Sequence, residues 1–152
     1  MRIYLDTCCV NRPRDDQDQP RLQQEAAIVL RVLELARTGE LEWVTSRVLT
    51  EELRRIVDPD RRSALLAIAS TSNAELERTD GDWSRAEVLG RWGFRQADAL
   101  HLAVAERAGV DYFLTTDDRL ERCGRRNSGK LHVKVLNPLS WALEEAKWLS
   151  DR

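Results

Sequence analysis

The chain predicts an α/β fold of three layers, a central mostly parallel sheet of four to five strands covered by helices on both faces. Three observations carry that expectation. Short apolar runs of strand length ("RIYL", "LEWVT", "DYFLTT", "LHVKVLN") alternate with longer stretches whose apolar residues recur at helical spacing. No internal repeat or low-complexity tract interrupts the alternation. Strands separated by helices are joined by crossovers, which lay the strands parallel and bury both faces of their sheet. At 152 residues, 42% apolar and 33% charged, the chain is expected to be a single domain, 1–152, with a real core.

The elements follow in order. Residues 2 to 5 form a first strand that ends at Asp6. The polar, Pro-punctuated stretch 7 to 20 reads as an ordered loop or short lid. Leu22, Ala26, Val29, Leu30, Leu33 and Ala36 mark a helix over 21–37, stopped by Gly39. Residues 41 to 45 alternate as a strand. Ser46 then caps a helix through "RVLTEELRRI", and another helix follows Pro59. Residues 72 to 95 are mixed, with a short helix around 82–91. A helix over about 97–108 stops at Gly109, and "DYFLTT" is a buried strand. A short helix or turn spans 119–126, "LHVKVLN" is the last strand, and a terminal helix after Pro138 carries Trp141 and Trp148.

Composition excludes several classes. A formal net charge of -2 provides no global basic field for nucleic acid, although the cations are lopsided, 21 Arg against 3 Lys. The N-terminal "MRIYLD" enters a strand-like run without a signal peptide, and no apolar run is long enough to cross a membrane, so a cytoplasmic protein is expected. Cys8, Cys9 and Cys123 are odd in number and lack zinc-knuckle spacing, so they read as reduced thiols. His101 and His132 are too scattered to suggest a site. Trp43, Trp83 and Trp92 read as core or edge packing, and Trp141 and Trp148 as core packing or a subunit contact.

The acids are placed more pointedly. In a β-α-β unit the helix N-terminus and the C-terminus of the next strand finish at one edge of the sheet. From Asp98 to Gly109 is eleven steps, about 16 Å at the helical rise of roughly 1.5 Å. From Asp111 to Thr116 is five steps, also about 16 Å at roughly 3.3 Å per strand residue. Outward and return journeys match, so Asp98 and Asp117 should meet, and Asp6 at the end of a parallel strand joins them. Singly, Asp98 would suit its helix dipole, Asp117 or Asp118 would cap the next helix, and Asp6 would start an Asx-turn. Three at matching ends make a site. Crowded carboxylates repel unless a cation neutralises them, and Mg²⁺ takes such oxygen ligands together with phosphate. Glu52, beside the apolar face of Val48, Leu49, Leu53 and Ile56, is the better fourth acid, with Glu51 the alternative.

These residues carry a resemblance. "IYLDTCCVN", "TSRVLTEEL" and above all "ADALHLAVA" followed by "FLTTDD" resemble the PIN-domain ribonucleases, particularly the VapC-like toxins of toxin–antitoxin pairs. The resemblance covers nearly the whole chain, and 46, 46 and 19 residues separate the successive acids Asp6, Glu52, Asp98 and Asp117. It implies a PIN-like fold and a catalytic, metal-binding set of those four acids, with Asp118 left open beside Asp117. It also implies Thr115 as a hydroxyl near the metal and Asn11 as a supporting polar residue. Mg²⁺ or Mn²⁺ as cofactor, RNA as substrate, a homodimer, and an antitoxin protein as partner are implied in the same way. Arg12, Arg14, Arg47, Arg54 and Arg95 are then candidates for steering RNA. The polar stretch 7 to 20 and the material at 72 to 95 depart from compact toxins, which leaves room for a non-toxin RNA-processing nuclease. Rival readings are a phosphohydrolase acting on a small molecule, though position 8 is Cys where such folds want a second Asp, and a catalytically silent RNA- or protein-binding module.

Overall fold

The computed structural model describes residues 1–152. Strands β1 (Arg2–Leu5), β2 (Glu42–Ser46), β3 (Ala74–Leu76), β4 (Tyr112–Leu114) and β5 (Lys134–Leu136) form one sheet. Their order is β3-β2-β1-β4-β5, and every neighbouring pair is parallel. The helices are α1 (Thr7–Asn11), α2 (Pro20–Arg37), α3 (Arg47–Arg54), α4 (Pro59–Ala69), α5 (Asp80–Arg91), α6 (Gln96–Arg107), α7 (Asp118–Arg126), α8 (Pro138–Glu144) and α9 (Ala146–Ser150), with a 3-10 turn at Arg12–Arg14. None is long and apolar enough to cross a membrane.

The period of two along each strand divides the apolar residues between the faces. Ile3, Leu5, Trp43 and Leu114 join the core under α1, α2, α4 and α8, where Trp141 is wholly buried. Tyr4, Val44 and Phe113 join the other core with α5, α6 and α7. Helix α3 serves both, through Leu49 and Leu53 on one side and Val48 on the other. Helix α6 is the most deeply set: every residue from Ala99 to Ala105 is buried. The expected three layers are thus present, with all five strands parallel.

Chain order turns at β1. The chain steps outward through β2 and β3, then returns to pair β4 with the other flank of β1. The carboxyl ends of β1 and β4 flank this reversal, where open α/β sheets have their crevice.

Four local expectations need correction. The stretch after Asp6 begins as helix α1, because the Asp6 carboxylate accepts from Thr7 N and caps it. Strand β3 is absent from the sequence reading. Its three residues are too short to show a period, and the side chain and backbone of Asn73 recruit them by bonding to Trp43 at 2.7 and 2.9 Å. Strand β5 begins only at Lys134. The terminal helix breaks at Glu145, leaving α8 and α9.

Helix α7 lies unusually close to the sheet at Gly124, where an added Cβ would stand 2.6 Å from Val135 Cβ. Gly124→Ala is therefore expected to destabilise the fold by about 1–3 kcal/mol through overpacking. Urea denaturation checks this, and an unchanged or raised midpoint would contradict the close packing.

Candidate active site

Asp6 stands one residue beyond β1, its backbone N–H donating to Leu114 O of β4 at 2.9 Å. Its Oδ1 accepts from Thr7 N at 2.8 Å, and its Oδ2 accepts from the wholly buried Thr115 hydroxyl at 2.9 Å. Thr115 Oγ1 in turn accepts from Asp117 N at 3.1 Å. The ends of β1 and β4 are thus laced together through one hydroxyl. The Cys8 thiol lies 3.4 Å from both Asp6 Oδ2 and Thr115 Oγ1.

Asp98 lies in the first turn of α6, at the positive end of a helix whose N-cap makes no side-chain bond. Burial nevertheless pushes its carboxyl up to about 6, assisted by the negative charges of Asp6, Asp117 and Glu52 and opposed by His101. All of these influences are burial or charge, with no hydrogen bond among them. Asp98 is the acid that its neighbours leave uncompensated.

Asp117 caps α7, its Oδ1 accepting from Arg119 N and Leu120 N at 2.9 and 3.3 Å. Asp118 points elsewhere, into a two-pronged pair with Arg21 of α2, one prong at 3.0 Å. Arg21 also reaches the fully buried Glu25 at 3.3 Å, which tethers α2 beside the start of α7. Glu51 is bound by Arg78 at 3.0 Å, whereas Glu52 turns inward. Within each of the two ambiguous pairs the structure gives one acid to a surface arginine.

Glu52 is held by groups that sequence reasoning passed over. Its Oε2 accepts from the Thr7 hydroxyl at 2.5 Å, and its Oε1 meets His101 Nε2 at 2.8 Å. His101 Nδ1 is 2.6 Å from the Tyr4 hydroxyl, which is 2.6 Å from Ser46 Oγ. Ser46 Oγ accepts from Leu49 N and so caps α3, the helix that carries Glu52. Burial alone would push His101 down, but its bond to Glu52 and the surrounding carboxylates raise it above the ordinary value. Burial would push Glu52 up, and His101, Thr7 and Arg55 bring it below the ordinary carboxylate range. Both directions favour an imidazolium–carboxylate pair. His101 lies three residues after Asp98 and so shares its helix face, but a single residue at that spacing does not by itself mark a site.

Asn11 turns away from the acids. Its amide donates to Thr7 O at 3.1 Å and accepts from Arg61 Nε at 3.0 Å. Arg12 and Arg47 are held in ion pairs with Asp15 and Glu25, and with Glu75. Trp43 is buried as expected, whereas Trp83 is 43% exposed and so is not a core residue. As the side chains stand, no three His, Cys, Asp or Glu groups surround a common point at ligating distance. Asp6, Glu52, Asp98 and Asp117 nonetheless offer carboxylate oxygens close enough to act on one another's charge, and Asp98 among them lacks a hydrogen-bonding partner. That chemistry suits a hard divalent cation, which takes carboxylate oxygen and water.

A family model described as PIN domain matches residues 3–126. Among solved structures, the chain is similar to VapBC2 from Rickettsia felis bound to a DNA fragment from its promoter. The TM-score is 0.57 at 15% identity, over 90% of this chain and 98% of that one. No curated protein matches the sequence.

Because the folded chain holds the Asp98 proton more tightly than the unfolded chain, this group adds stability below about pH 4 and loses it as pH rises through about 6. The full shift corresponds to about 3 kcal/mol, which solvent at a half-buried carboxyl reduces to about 1–2 kcal/mol. Thermal melts in EDTA should therefore show Asp98→Asn gaining on the parent protein between pH 4 and 7. Parallel curves would refute the crowding.

Proposed function

The chain belongs to the PIN domain family, and from that premise we propose that it is a Mg²⁺- or Mn²⁺-dependent ribonuclease that hydrolyses phosphodiester bonds. PIN domains are generally nucleases. The observation that carries the reading is Asp98: a half-buried carboxyl raised to about 6 within the field of Asp6, Asp117 and Glu52, with no donor of its own. With Asp98 itself these acids come from four separate segments of the chain, and a divalent cation would relieve their mutual repulsion.

Asp6, Asp98 and Asp117 would hold the metal, with Glu52 contacting it through water or at a second ion. A bound metal supplies a water of lowered pKa and neutralises phosphate charge. The chain's own residues do the rest. Thr7 N and the Thr115 hydroxyl each bond one oxygen of Asp6, which fixes its rotamer. Thr7 and His101 grip both oxygens of Glu52, so this acid is orientated before substrate arrives. Arg14, Arg54 and Arg95, which are exposed and form no ion pair, are the candidates among the cations to offset the repulsion between an acidic crevice and an RNA backbone.

The toxin role in a toxin–antitoxin pair is part of the same proposal, supported by the likeness to VapBC2. An antitoxin protein and a homodimer would be its partners, in the cytoplasm.

Cleavage of single-stranded RNA should require Mg²⁺ or Mn²⁺ and stop in EDTA. Asp6→Asn and Asp98→Asn should each lower the rate by about a hundredfold or more while leaving a folded protein. Wild-type activity in Asp98→Asn would overturn the mechanism. Turnover of small phosphate esters without RNA cleavage would overturn the substrate.

A further inference from the structure

A pocket of about 290 Å³ adjoins Glu52, between α3 and the first turns of α5 and α6. None of the chemistry assigned above uses it. Its apolar lining includes Val48 and Leu100, which are 5% and 6% exposed. Trp83 also lines it and is 43% exposed, a large aromatic left open on a helix that buries its neighbours Asp82 and Ala86. The Arg78 guanidinium carbon lies 5.8 Å from the Trp83 ring centroid, and its two terminal nitrogens each reach Glu51 at 3.0 Å. Glu51 therefore neutralises Arg78 and pins it against the indole. Two polar side chains in the lining make no direct bond within the protein: the exposed Arg55, which acts on Glu52 only through its charge, and the exposed Gln96 amide.

An exposed indole, a free amide and a free guanidinium beside a candidate catalytic acid suit one kind of guest. It must be planar, polar along its edge and joined to an anionic chain. We propose that the pocket receives a nucleobase of the substrate RNA adjoining the bond that is cut, stacked on Trp83, with Gln96 meeting its polar edge and Arg55 its neighbouring phosphate. This assignment rests on the ribonuclease reading above and adds to it a source of sequence preference. Stacking tolerates any base, because each has a π-face, whereas an amide distinguishes donors from acceptors. Guanidinium binds phosphate through paired N–H groups. A small phosphorylated molecule would find only one free cation here.

The test uses the full chain. Binding of a fluorescent random-sequence RNA oligonucleotide is measured in an Asp98→Asn background with Mg²⁺, so that no cleavage interferes. Cleavage of a randomised RNA pool by otherwise unaltered protein is read by sequencing the new ends. Trp83→Ala should weaken binding on the order of tenfold and raise KM more than it lowers kcat, and Trp83→Phe should recover most of the loss. Gln96→Ala should flatten the base preference at one position beside the cut. Thermal melts confirm that each variant folds, as exposed positions allow. Wild-type KM and an unchanged end profile in both alanine variants, from a parent that cleaves RNA, would overturn the subsite alone. A parent that neither binds nor cleaves RNA overturns the ribonuclease reading and the subsite with it.

Discussion

Carboxylates held together without a counter-charge push one another apart, and the packing in this fold resists that push. The repulsion and desolvation at Asp98 amount to a few kcal/mol at most, as its rise to about 6 indicates. Against this, α6 buries Leu100, Leu102 and Val104, and β4 buries Phe113 and Leu114. Each such side chain contributes about 1.5–3 kcal/mol. Hydrophobic burial wins by a wide margin, so the elements can hold their acids in place. The crevice at the reversal of strand order follows from the same packing, since the two apolar faces of the sheet settle which helix ends can reach it.

A second arrangement keeps Glu52 in register with the other acids. The run from Ser46 through Tyr4 and His101 to Glu52 crosses the interior from β2 to α3 by way of β1 and α6. Every member has a partner at both ends, which is the condition under which a buried polar chain rigidifies a core instead of weakening it. It accommodates either charge of the ring: a neutral His101 accepts from Tyr4, and a charged one donates to it. Removal of one member would leave its neighbours buried and unsatisfied, at about 1–3 kcal/mol per group. The acid carried by α3 is therefore tied back to β1 by hydrogen bonds.

Much of this was legible in the residues. The β-α-β length match placed Asp98 and Asp117 at one edge, and the structure sets Asp98 in the first turn of α6 and Asp117 at the cap of α7 after β4. The cap at Ser46 and the stop at Gly109, which has φ of +68°, follow from local chemistry that a sequence displays directly. Strand β3 was invisible because three residues carry no period, and its pairing depends on an asparagine across the sheet. His101 was invisible for a different reason. A lone histidine in an apolar helix has no pattern of its own, and its partners come from residues 4 and 52. Of the two readings for Trp83, core or edge packing, its 43% exposure leaves the edge. Asn11 was drawn away by Arg61, a cation fifty positions along the chain.

The central position of β1 also bears on synthesis of the chain. Its two partners are made at very different times: β2 begins about forty residues later, and β4 more than a hundred. The bond between Asp6 and Thr115 spans 109 positions, so that contact cannot form on a growing polypeptide until most of it has left the ribosome. Until then Asp6 lacks its Thr115 partner, and its strand has one open flank. The joining of β1 to β4 is therefore a late event, completed only once the chain is nearly whole.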